Sequence, residues 1–86
     1  MQVIDLATKV INTDEGDATI SFKVIIKNDA DDEITKIEIK GFDEEGFEIT
    51  SVLIFDEIEA GETKTLTERE DVCVEDFEQI TEWRVK

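Results

Sequence analysis

The sequence predicts an all-β fold, with antiparallel strands in two sheets packed face to face. Three observations carry this. Apolar residues recur at every second position, most clearly at Ala18, Ile20, Phe22, Val24 and Ile26. Turn signals separate the apolar runs at intervals of about 8–12 residues. Only one stretch, Glu75 to Ile80, carries a helical spacing.

Taken in order, residues 3–11 read as a first strand. Ile4, Leu6 and Val10 share one face, and Val3, Ala7 and Ile11 the other. Neither face is cleanly polar, which predicts a bulge near Thr8–Lys9. The stretch NTDEGD is a turn, because Asn12, Asp14 and Asp17 can bond their own backbone and Gly16 can take positive φ. Residues 18–27 form a strand with one wet face, carrying Thr19, Ser21, Lys23 and Lys27. An acidic loop, NDADDE, follows.

Residues 34–55 are the central hairpin, turning through DEEG at Gly46. Ile37, Ile39 and Gly41 share a face in its first strand. In the second, Phe47, Ile49, Ser51, Leu53 and Phe55 oppose Glu48, Thr50, Val52 and Ile54. The second half is thus apolar on both sides, which suggests coverage or an interface. Ile58 is expected to turn inward from the next connection. Residues 62–68 form a weaker strand around Leu66, Glu68 to Asp71 a charged break, and Val72 to Val74 an apolar island. Phe77 and Ile80, spaced i,i+3, fit one helical turn near 75–79. Thr81, Trp83 and Val85 share a face of a closing strand. The total is about seven short strands, the cue for an antiparallel immunoglobulin-like β-sandwich.

The chain has 86 residues and reads as a single domain over 1–86. A chain of this size buries only roughly 60 % of its unfolded surface, so one thin core is available. Twenty-four acids stand against 9 bases, a formal net charge of −15. Such a surface repels phosphate backbones and anionic lipid, which disfavours direct nucleic-acid or membrane binding, so neither is expected, and suits a basic protein partner. The lone Cys73 cannot form an internal disulfide, which leans towards a reducing compartment. Met1 leads straight into strand-like sequence with no signal peptide. As it stands the sequence fits a cytoplasmic protein, or an exported one if Met1 replaced a leader.

Catalytic chemistry has little to stand on. Histidine is absent, so Ser21 and Ser51 have no triad partner. Cys73 has no cationic neighbour to make it a thiolate, and it reads as a packed or half-packed structural residue. The carboxylates fall in loops and on wet faces, where acid–base pairs are not tuned. No enzyme activity and no cofactor are expected. Asp29, Asp31, Asp32, Glu33, Asp43 and Glu45 could contribute oxygens to calcium if their loops converged, although none fits the helix-loop-helix calcium spacing. Trp83 reads as core beside Phe22 or Phe55, or else as an interface anchor. Val52, Ile54 and Trp83 are the interface candidates, and Val52 to Phe55 the segment where a monomer could become a weak homodimer.

The same residues resemble the FxLYD domain family. Ile39-Lys40-Gly41-Phe42-Asp43, followed by Gly46, falls where that family carries its signature, with the aspartate and the later glycine retained. Phe42 substitutes for tyrosine, Ile39 for phenylalanine and Gly41 for leucine. Val24 to Asn28 resembles the family's strand ending in asparagine, and Ile58 to Glu62 its leucine-x-proline-glycine-glutamate turn with Ala60 at the proline. Trp83 with Val85 resembles its closing aromatic-x-valine strand. The resemblance runs from about Ala18 to Val85. It implies an immunoglobulin-like sandwich without catalytic activity, used as an accessory module.

The expected function is therefore a non-catalytic interaction or structural accessory module. Calcium binding by the acidic loops is one alternative. An acidic mimic of nucleic acid, bound by a basic protein, is another.

Overall fold

The computed structural model describes residues 1–86. Six strands and one short helix follow in order: β1 (Gln2–Thr13), β2 (Asp17–Lys27), β3 (Ile34–Phe42), β4 (Glu48–Ile58), β5 (Thr63–Cys73), α1 (Val74–Gln79) and β6 (Glu82–Val85). They make two three-stranded sheets, ordered β1-β2-β5 and β4-β3-β6, and every pairing is antiparallel. The chain changes sheets between β2 and β3, again between β4 and β5, and again through α1 to β6.

The alternation in β2 explains the core. Ala18, Ile20, Phe22, Val24 and Ile26 are all at most 1 % exposed. Across from them lie Ile37 and Ile39 of β3 and Val52, Ile54 and Ile58 of β4. With Leu66 and Val72 of β5, these residues other than Ala18 form one cluster of 11 buried residues drawn from both sheets. Burying a side chain such as Phe22 contributes about 2–3 kcal/mol. Ile58 is buried, as the sequence reading expects.

Six strands replace the expected seven because β5 does not break. Glu68, Arg69, Glu70 and Asp71 continue its ladder opposite Phe22, Ser21, Ile20 and Thr19, so the Val72 island is the end of one strand. Backbone pairing to β2 outweighs the polar sequence, because β5 is a sheet edge and its charges can reach water. The helix runs from Val74 to Gln79, and Phe77 and Ile80 both pack on the core. Glu75 and Asp76 in its first turn suit the positive end of its dipole.

Strand β1 carries two bulges, at Ile4 and at Ile11, rather than one near Thr8–Lys9. Between them, Asp5 to Val10 pairs regularly with β2. A further irregularity at Ile49 puts Glu48 opposite Phe42. Glu48 thereby joins the outer face with Ser51, Leu53 and Phe55, against the expectation from plain alternation.

Asn28, fully buried, pins one end of the molecule. Its amide donates to the carbonyl oxygens of Asp32 at 2.7 Å and Ile58 at 3.0 Å, and its Oδ1 accepts from the Ala30 N–H at 3.1 Å. Its backbone bonds Glu62 and Gly61. One side chain thus holds the β2–β3 loop against the β4–β5 turn.

Candidate interaction surface

The hairpin turn at the opposite end is built locally. Asp43 Oδ1 accepts from the N–H groups of Glu45 and Phe47, each at 2.9 Å. Gly46 sits at φ 88°, a conformation that favours glycine. The aspartate therefore serves the turn.

The six carboxylates considered for calcium do not converge. Asp29, Asp31, Asp32 and Glu33 lie in the loop between β2 and β3. Asp43 and Glu45 lie in the turn after β3. Strand β3 separates the two, so they occupy opposite ends of a molecule 43 Å long. Nowhere do three or more Cys, Asp or Glu side chains gather as a metal would need. Asp29 instead bonds the Met1 amine at 2.7 Å, which holds its carboxyl below the usual carboxylate value.

The charge is segregated by element. Every loop joining two strands is acidic, and every base except the terminal Lys86 lies in a strand. Both ends are therefore strongly negative while the sheet faces carry mixed charge. On the outer face of β4-β3-β6, Lys40 bonds Glu48, which raises the lysine's pKa, and Glu38 lies 3.7 Å away. Beside them Arg84 lies over the Phe42 ring, 4.2 Å from its centroid, a cation–π contact. Lys40, Phe42, Glu48, Arg84, Val85 and Lys86 line a shallow groove there.

At the flank where β4 meets β5, Lys64 donates to Asp56 Oδ1 at 3.0 Å and to the Glu57 carbonyl at 2.9 Å. This lace joins the two sheets. The hydrogen bond to Lys64 lowers the Asp56 pKa, and its counterpart raises that of Lys64.

Of the three interface candidates, Val52 and Ile54 are placed differently from expectation, whereas Trp83 stands beside Phe22 as its core reading has it. Val52 and Ile54 are 1 % and 4 % exposed and belong to the core. Trp83 is half-buried and stands edge-on to Phe22, ring centroids 4.9 Å apart at 76°. Contact with the opposite sheet decides which side of an apolar-on-both-sides strand is buried. The exposed side is the other one: Leu53 is 40 % and Phe55 73 % exposed, opposite Glu38 and Lys36. Cys73 is exposed, not packed, because Val72 takes the inward position and strand alternation turns its neighbour out.

No protein-family model matches the chain, and no curated protein matches it either. No helix is long and apolar enough to cross a membrane.

Proposed function

We propose that this chain is a non-catalytic interaction or structural accessory module of immunoglobulin-like topology. The strand neighbours support the topology. In chain order β1, β2 and β5 correspond to A, B and E of that fold, and β4, β3 and β6 to C′, C and F, with D and G absent. The FxLYD resemblance gains support from Asn28. It ends one of the resembling motifs, and its side chain bonds Ile58, which opens another.

One observation carries the interaction reading: the exposed Leu53–Phe55 pair on the outer side of edge strand β4. Phe55, 73 % exposed, gains little from the fold, and burial against a partner would contribute about 2 kcal/mol. Lys36 and Glu38 opposite the pair supply a polar border, as at the rim of an interface. The acidic loops at both ends favour a partner with basic flanks.

The test is affinity capture from native lysate with the wild-type chain and with the double variant Leu53→Ser, Phe55→Ser. A partner held by the wild type and lost by the variant, with melting temperature unchanged, is the expected result. Equal capture by both chains would remove this face from the reading.

A further inference from the structure

We infer that the free edge of β1 pairs antiparallel with β1 of a second copy of this chain, joining two three-stranded sheets into one across a twofold axis at Ala7. This surface is separate from the Leu53–Phe55 face and does not depend on it.

Four strand edges are open, and three are unsuited to self-pairing. Strand β6 has four residues. Strand β5 carries Glu68, Arg69, Glu70 and Asp71 in one run, and β4 carries Glu48, Asp56 and Glu57. Strand β1 is the longest at 12 residues, yet its only charges are Asp5 and Lys9. It is a neutral edge on a chain of net charge −15. Its apolar side chains are also uncovered: Ile4 is 51 % and Val10 41 % exposed. The opposite sheet has only the short β6 on that flank, and of the apolar side chains of β1 only Leu6 packs against the core.

The register follows from alternation and charge. Leu6, Thr8 and Val10 pair with the buried Val24, Phe22 and Ile20, so they share the inner face. Asp5, Ala7 and Lys9 pair with Ile25, Lys23 and Ser21 and share the outer face. Opposed residues in a continuous sheet project to the same side, so outer must meet outer. Centred on Ala7, each Asp5 meets the other copy's Lys9, and the small alanines meet at the axis. Centred on Asp5 or on Lys9, like charges meet, which is unfavourable. Neither Asp5 nor Lys9 has an ion-pair partner within its own chain. On the inner face the same register sets Leu6 against Thr8 of the other copy. The bulges at Ile4 and Ile11 bend the strand and confine the ladder to the segment between them.

The test is sedimentation equilibrium near 0.15 M salt, where charges more than about 8 Å apart are screened. The wild type, Asp5→Lys, Lys9→Asp and an equimolar mixture of the two variants are compared, with circular dichroism verifying that each is folded. A reversible wild-type dimer is expected. Each single variant should associate at least about tenfold more weakly, since two like-charge pairs then face each other. The mixture should restore the dimer as a heterodimer, because lysines then meet aspartates again. Asp5→Lys lowers the net charge, so general repulsion alone would strengthen association, opposite to the expected loss. A wild type monomeric at millimolar concentration, single variants that dimerise as well as the wild type, or a mixture that stays monomeric would each overturn the inference.

Discussion

Gly41 and Trp83 stand directly opposite each other in the β3–β6 ladder, and the indole occupies the space that a side chain at position 41 would need. A Cβ on Gly41 would lie 3.0 Å from Trp83 Cζ3 and 3.1 Å from Ile80 Cδ1. The glycine lets the ring lie against β3 and reach Phe22, which ties β6 to the opposite sheet. Gly41→Ala should therefore destabilise the fold by about 1 kcal/mol, overpacking outweighing the entropy that alanine saves. Urea unfolding would measure this, and tryptophan emission should shift to the red as the indole is displaced.

Asn28→Ala should cost about 2–3 kcal/mol, because the buried carbonyl of Ile58 and the part-buried carbonyl of Asp32 lose their shared donor. The loss should be local at first. Amide exchange should quicken in residues 29–33 and 59–62 before the rest of the chain, and uniform protection there would contradict the pin.

The Asp56–Lys64 lace predicts a pH signature. Asp56 is held below its ordinary 3.8, so its contribution is complete above that value and is lost as pH falls through the lower folded pKa. Lys64 is held above its ordinary 10.5, so its contribution is complete below that value and is lost as pH rises through the higher folded pKa. Asp56→Asn should therefore lower the melting temperature by a constant amount between about pH 5 and 9, and the gap should close in acid. A gap that widened in acid would contradict the assignment.

Calcium should change nothing beyond ionic strength. The acidic loop after β2 and the acidic turn after β3 lie at opposite ends, and Asp43 is committed to its turn. Titration with calcium at constant ionic strength should leave melting temperature and amide shifts where magnesium leaves them. A saturable shift in either loop would show a site.

Strand β2 was legible because each of its core positions is apolar and most of its outer ones are polar, so period two alone assigns both faces. The helical turn was legible for the same reason, from Phe77 and Ile80. Where a strand is apolar on both sides, alternation loses its meaning. Val52 and Leu53 differ little as residues, and only the opposite sheet, which brings Phe22, Val24 and Leu66 into the same buried cluster, sends the first inward. Bulges were also hidden, since one unpaired residue at Ile49 reverses the sides beyond it without any mark in composition. Strand β5 shows the converse, a polar run kept in the ladder by its neighbour.

By itself the sequence determined an all-β chain, the alternating core of β2 and β3, the acidic turns and the lack of histidine-dependent chemistry. These are local properties, readable from side chains a few residues apart. The tertiary structure decided which loops share an end, which face of β4 meets water, and that β1 is left as a neutral, uncovered edge. Those depend on contacts between distant segments, and packing one sheet on another leaves no local trace in the chain.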